Sequence, residues 1–326
     1  FAAFVAGGRC GGVLYLPLTE GRRSCNGPLF FFGKIGYNKK PGFTCPEMKM
    51  ERVRYDVLHR GVAEVEFVEK EVCGVRVHYE LAGAGEKRIV LLHGWGCDAK
   101  LMAPVAAGLQ DGARVLSLDF PAHGASGRPP EPWGVPEFAA CVRELLVQEN
   151  FLPCAVVAHS FGGRVTLWLA AQYPEMFTRI VLTGAAGIPN RPTEKSKKRT
   201  ATYKKLRSIC EGMKQARIFG SLPDKAEDAL RKKYGSRDYN ALDAEMRKTF
   251  VKVINQDLTP CLSKIKQPTL LLWGDADTET PLWMGQEMEK AIPDAALIPL
   301  EGGTHFAYLE QSARFNAIIR NFLLGA

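Results

Sequence analysis

The chemistry of this chain starts at one serine, in Val156-Val157-Ala158-His159-Ser160-Phe161-Gly162-Gly163. Val156–Ala158 has β character and a helical stretch opens at about Arg164, so Ser160 is expected on a tight strand-to-helix turn. A turn of this kind holds a hydroxyl exposed and strained, and small residues two before and two after it let neighbouring backbone approach. Ala158 stands where G-x-S-x-G has its first glycine, a departure of one methyl group. Taken alone, the segment reads equally well as a helix-capping serine, so its partners have to decide.

A hydroxyl nucleophile needs a base to take its proton and a third group to orient that base. Where the nucleophile sits on a strand-turn-helix elbow, the order along the chain is nucleophile, acid, base. Leu270-Leu271-Leu272-Trp273 runs into Gly274-Asp275-Ala276-Asp277, which sets two carboxylates at the C-terminal end of a strand, where open α/β sheets collect their sites. Asp277 is taken as the acid because it reaches further along the loop, and Asp275 as the turn-forming residue. Of six histidines, only His305 follows these carboxylates; it sits in Glu301-Gly302-Gly303-Thr304-His305-Phe306, before a C-terminal amphipathic stretch. A third strand, Leu91-Leu92, empties into His93-Gly94-Trp95-Gly96. Acyl transfer builds negative charge on a carbonyl oxygen, and the backbone N–H groups of Trp95 and Phe161 are expected to receive it. Gly94 and Gly162 shape that hole, His93 is read as a hydrogen-bonded support of the loop, and His159 as packing.

The elements that must position these residues follow from periodicity. Val65 and Phe67, then Val72, Val75 and Val77, are spaced for two half-buried antiparallel strands. Continuous apolar runs at Ile89–Leu92, Val115–Leu118, Ala155–Ala158, Ile180–Leu182, Leu270–Trp273 and Ala296–Leu300 suit strands buried on both faces. Helical stretches lie between them, notably Glu137–Gln148 and Arg164–Gln172. Alternation of this kind predicts an α/β fold with a doubly wound, mostly parallel sheet. Residues 187–267 break it with three helical patterns: a Leu206, Ile209, Met213 stripe, a helix bracketed by Pro223 and Gly235, and one marked by Met246, Phe250 and Ile254. This stretch is expected to be a helical lid inserted after the sixth strand, with the core formed by 48–186 and 268–326. Residues 1–47 are rich in Gly and Cys, lack assignable periodicity and are expected to be a non-native or unstructured extension, with Met48 or Met50 as the start.

In its H-G-W at His93–Trp95, its Asp119-Phe120-Pro121-Ala122-His123-Gly124-Ala125-Ser126 segment, its elbow, its G-D-A-D and its final histidine loop, the chain resembles the α/β-hydrolase superfamily. The likeness covers about Val72 to Leu324 and points to the lid-bearing branch of bacterial esterases, acyl hydrolases and carbon–carbon bond hydrolases. The resemblance implies Ser160 as nucleophile, Asp277 as acid, His305 as base, and Trp95 and Phe161 as oxyanion donors. Serine at the elbow argues against dehalogenation and epoxide opening, since relatives with those activities carry aspartate there. The implied reaction is two-step hydrolysis of a carboxylic ester or similar acyl bond through an acyl-enzyme, with no metal or other cofactor. Thioester cleavage and carbon–carbon hydrolysis of an anionic dienoate stand as alternatives. The non-enzymatic alternative is a binding protein of the same fold.

Composition bounds the partners. Apolar residues make up 46% and charged residues 24% of 326, values of an ordinary globular chain. Nine cysteines are scattered without a C-x-x-C pair, which favours reduced thiols and a cytoplasmic setting. Residues 188–267 hold 20 Lys and Arg against 9 Asp and Glu, so the net +8 of the chain gathers in the lid. A solvated face accounts for such a run; otherwise it draws an anionic small-molecule acyl substrate, an acidic carrier or an anionic lipid surface. Nucleic acid is not expected, because no recognised module accompanies the charge.

Overall fold

The computed structural model describes residues 65–191, 193–216 and 221–325. The expected extension over 1–47 and the candidate starts Met48 and Met50 lie outside the described residues. Strands β1 (Glu66–Val72) and β2 (Val75–Ala82) form an antiparallel hairpin. The chain then alternates through β3 (Lys87–Leu92), α1 (Ala103–Leu109), β4 (Ala113–Leu118), α2 (Val135–Gln148), β5 (Cys154–His159), α3 (Phe161–Gln172) and β6 (Phe177–Thr183). Helices α4 (Glu194–Ala216), α5 (Leu222–Tyr234), α6 (Arg237–Ala241), α7 (Ala244–Asn255) and α8 (Thr259–Leu262) follow, with no strand between them among the described residues. The alternation resumes with β7 (Thr269–Gly274), α9 (Leu282–Ala291), β8 (Ala295–Leu300), α10 (Ala307–Glu310) and α11 (Ser312–Leu324).

The eight strands make one sheet in the order β1-β2-β4-β3-β5-β6-β7-β8, parallel from β4 through β8. Because side chains alternate across a strand, each central strand feeds two cores. Val90, Leu92, Val156, Ala158 and Leu182 pack under α2, α3 and α9 against Phe138, Val165 and Met288. Ile89, Leu91, Val157 and Val181 pack on the other face under α1 and α11 against Leu109, Phe315 and Ile319. This is why the central strands read as unbroken apolar runs, and why the sheet is doubly wound. The helical insertion after the sixth strand is present.

Several expectations are corrected. Val65 and Phe67 face solvent, Phe67 at 67% exposure, and it is Val68, Lys70 and Val72 that turn inward, because β1 is an edge strand covered on one side only. β8 is the opposite edge, so Ala295–Leu300 is partly exposed rather than buried on both faces. The insertion holds five helices among its described residues where three patterns were read, since α6 and α8 are too short to show a period. Ile209 is exposed and Cys210 takes its place on the inward stripe with Leu206 and Met213; likewise Val253, not Ile254, is buried on α7. α3 opens at Phe161, directly after Ser160, three residues earlier than its apolar pattern suggests.

Candidate active site

β5 ends at His159, and the chain reverses into α3 through Ser160, whose backbone adopts φ 50° and ψ −106°. For a residue with a Cβ this is a strained conformation, costing about 1–3 kcal/mol, and it persists only where surroundings enforce it. The enforcing bonds are local to the sheet's carboxyl edge. Ser160 N–H donates to Thr183 O at 3.2 Å, and Ser160 O accepts from Ala186 N–H at 3.0 Å, so β6 and its following loop grip the turn. Gly162 N–H donates to His93 O at 3.0 Å, tying the start of α3 to the loop after β3. A Cβ on Gly162 would collide with the carbonyl oxygen of Leu92, so only glycine allows this approach. The side chain of Ser160 makes no cap hydrogen bond to α3, which removes the helix-capping alternative.

His305, in the loop after β8, sets Nδ1 2.8 Å from Asp277 Oδ2. Asp277 is buried, and its Oδ1 accepts from the N–H groups of Glu279 and Thr280 at 2.8 and 2.9 Å. Thr280 Oγ1 lies 2.8 Å from Asp277 Oδ2, 2.9 Å from Gly184 O and 3.2 Å from His305 Nδ1, which braces the carboxylate against the imidazole. An ionised carboxylate only accepts, so His305 Nδ1 carries the proton of this hydrogen bond and Nε2 is the ring nitrogen left facing away from Asp277. Asp275 is spent elsewhere: its Oδ1 accepts from Gly302 N–H at 2.7 Å and shapes the histidine loop.

His93 is fully buried with Nδ1 2.7 Å from Gly94 O and with Nε2 accepting from Phe120 N–H at 3.0 Å. That pattern requires the neutral ring, and burial, aided by neighbouring His123, pushes its pKa down to about 3. Gly94 lies over the serine turn: a Cβ there would stand 2.8 Å from His159 Nδ1 and 3.3 Å from Ser160 Cβ. Trp95 follows, its ring edge-on to Phe161 at 5.3 Å and to His123 at 4.9 Å. The N–H groups of Trp95 and Phe161 enter no hydrogen bond among the described residues; that of Phe161 is the first of α3, one of the four a helix leaves unpaired.

Three residues at the site carry little or no signal in the sequence. His159 Nε2 donates to the His305 backbone carbonyl at 2.9 Å, while its Nδ1 is buried without a partner. Thr280 buttresses the acid, and the D-x-x-T spacing of an Asx-type turn is the one clue to it. Phe250 reaches from α7 to Trp95, with ring centroids 5.2 Å apart, so the insertion packs against the loop that follows β3.

A sheet of this order with its serine elbow at the carboxyl edge defines a class. The chain belongs to the alpha/beta hydrolase fold family, whose family model matches residues 87–312. It is 26% identical over 274 residues to a 2-hydroxy-6-oxononadienedioate/2-hydroxy-6-oxononatrienedioate hydrolase of a Pseudomonas species, covering 79% of this chain and 95% of that one. An esterase from Exiguobacterium antarcticum superposes with TM-score 0.60 at 20% identity, over 78% of this chain and 98% of its own. The enol-lactonase from Burkholderia xenovorans superposes with TM-score 0.59 at 22% identity, over 79% and 100%.

Proposed function

We propose that this protein is a serine hydrolase that cleaves a carboxylic ester or a similar acyl bond through an acyl-enzyme on Ser160. The observation that carries the reading is the buried Asp277 carboxylate held 2.8 Å from His305 Nδ1, which leaves Nε2 of the imidazole as a base. His305 takes the proton of Ser160 Oγ as the oxygen attacks the substrate carbonyl. The N–H groups of Trp95 and Phe161 receive the oxyanion, and a missing donor of this type typically costs about 3–4 kcal/mol. The imidazolium, stabilised by Asp277, then protonates the leaving group. Water attacks the acyl-enzyme with His305 again as base, and Ser160 is regenerated.

A carbon–carbon bond hydrolase is the second reading, favoured by the named activity of the Pseudomonas relative. Its substrate would be a dianion. The side chain that the insertion brings against Trp95 is the aromatic Phe250, and the buried cation of α3, Arg164, is engaged with the carbonyls of Gln256 and Ile254. An uncharged acyl group suits those surroundings better.

The test is hydrolysis of p-nitrophenyl esters from acetate to decanoate, an acyl-coenzyme A and a dienedioate, by the wild type and Ser160→Ala. Ester turnover that falls by about 10⁴-fold or more in Ser160→Ala supports the reading. Turnover of the dienedioate alone transfers it to the second, and a folded wild type that neither turns over any substrate nor reacts with a fluorophosphonate overturns both.

A further inference from the structure

The charge of this protein is sorted onto one arm. Residues 194–234 contain 13 Lys and Arg against 5 Asp and Glu, a net of +8 that equals the net charge of the whole chain, and the remainder is balanced at 30 of each sign. Within this stretch lie α4 and α5, which pack on each other as an antiparallel pair. Tyr203 meets Tyr234 at 5.7 Å near one end, and Lys214 meets Asp224 at 2.8 Å near the other.

The five acids are all neutralised inside the arm. Glu194 pairs with Lys197, Glu211 with Arg207, Asp224 and Glu227 with Lys214, and Asp228 with Arg231. Arg199 is used on the carbonyls of Lys233 and Tyr234. Lys198, Lys204, Lys205, Lys225, Lys232 and Lys233 are exposed and enter no ion pair among the described residues. Lys214, Arg207 and Arg199 therefore tie α4 to α5, and the surplus charge is lysine.

We propose that the outer face of α4 and α5 docks on an anionic phospholipid bilayer. On an α-helix, positions 198, 205 and 209 fall within about 40° of one another, so Ile209, at 51% exposure, stands one turn beyond Lys205 on the face that also carries Lys198. Beyond Glu194, which is paired with Lys197, the rest of that face, Ala201, Thr202, Gly212 and Ala216, is exposed, uncharged and mostly small. Leu222 opens α5 at 61% exposure. Lysines around exposed aliphatic side chains suit a headgroup layer, where the charge answers the surface potential and the aliphatic groups enter the acyl boundary. A single-stranded nucleic acid would ask for aromatic platforms, and the arm's two tyrosines, Tyr203 and Tyr234, are half-buried against each other.

The test is co-sedimentation of the full chain with vesicles of phosphatidylcholine alone and of phosphatidylcholine with 30% phosphatidylserine. The expected result is binding to the anionic vesicles only, weakening between 0.05 and 0.5 M salt. Each lysine near such a surface contributes about fivefold to partitioning, so Lys198→Gln/Lys204→Gln/Lys205→Gln lowers it by about 100-fold. Ile209→Gln weakens binding without changing its salt slope. A control that removes equal charge elsewhere, Lys248→Gln/Lys266→Gln/Lys290→Gln, retains binding, and thermal unfolding establishes that every variant is folded. Absence of binding to the anionic vesicles, equal loss in the control, or tighter binding to polyglutamate or single-stranded DNA at the same salt overturns the proposal. None of these outcomes depends on the hydrolytic activity.

Discussion

The ring of His159 donates through Nε2 to the backbone carbonyl of His305 at 2.9 Å. The residue before the strained serine thus holds the loop that carries the imidazole, although 146 positions separate the two. Their rings also lie 4.7 Å apart, with Phe306 and Tyr308 packed around His159.

His159→Phe keeps the ring packing and removes the donor. The freed carbonyl costs about 1–3 kcal/mol in stability, and kcat falls while KM is held, because the loop carrying His305 loosens. Steady-state kinetics alongside denaturant unfolding checks this; an unchanged kcat contradicts it.

Ser160→Gly abolishes turnover and raises stability by about 1 kcal/mol. Glycine adopts φ 50° without the Cβ penalty that serine bears there. Ser160→Ala is equally inactive and gains less, since alanine keeps the Cβ. Chemical denaturation of the two variants side by side measures the difference.

Asp277→Asn lowers kcat by about 10⁴-fold, because an amide no longer fixes the Nδ1–H tautomer of His305. Asp275→Asn, whose oxygen bonds only Gly302 N–H, costs less than about tenfold in the same assay. Thr280→Val falls between them, since it removes the hydroxyl bridging Asp277 and Gly184 while leaving the carboxylate its two backbone donors.

Acid destabilises the fold. His93, His123 and His159 are buried, and burial lowers all three pKa values, that of His93 to about 3 against an ordinary 6.5. Below about pH 6.5 the unfolded chain binds protons that the folded chain refuses, so stability is complete above that pH and declines as pH falls, for His93 by about 1.4 kcal/mol per unit down to about pH 3, with His123 and His159 adding in the same direction. Urea midpoints at pH 7.5 and pH 5 report it, and His93→Gln flattens the slope by about one proton.

Much of the fold was legible because the signals are local. Val90–Leu92 and Val156–Ala158 read as strands since both faces of the sheet are covered, and α5 is bounded by its own Pro223 and Gly235. Edges were misread for the same reason: nothing in Val65 or Phe67 says which face of β1 lacks a covering layer.

The sequence by itself determined the strand-helix alternation, the serine elbow, the two loop carboxylates and a histidine placed after them, because each is a matter of residue type and short spacing. Only the tertiary structure decided that Asp277 lies against His305 while Asp275 bonds Gly302, that His159 and Thr280 brace that pair, and that Phe250 closes on Trp95. The physical reason is that β5, β6, β7 and β8 follow one another in the sheet and run parallel, so the loops leaving them share one edge, which brings residues more than a hundred positions apart within hydrogen-bonding distance. Such contacts are set by strand order and register, which no local pattern of residues encodes.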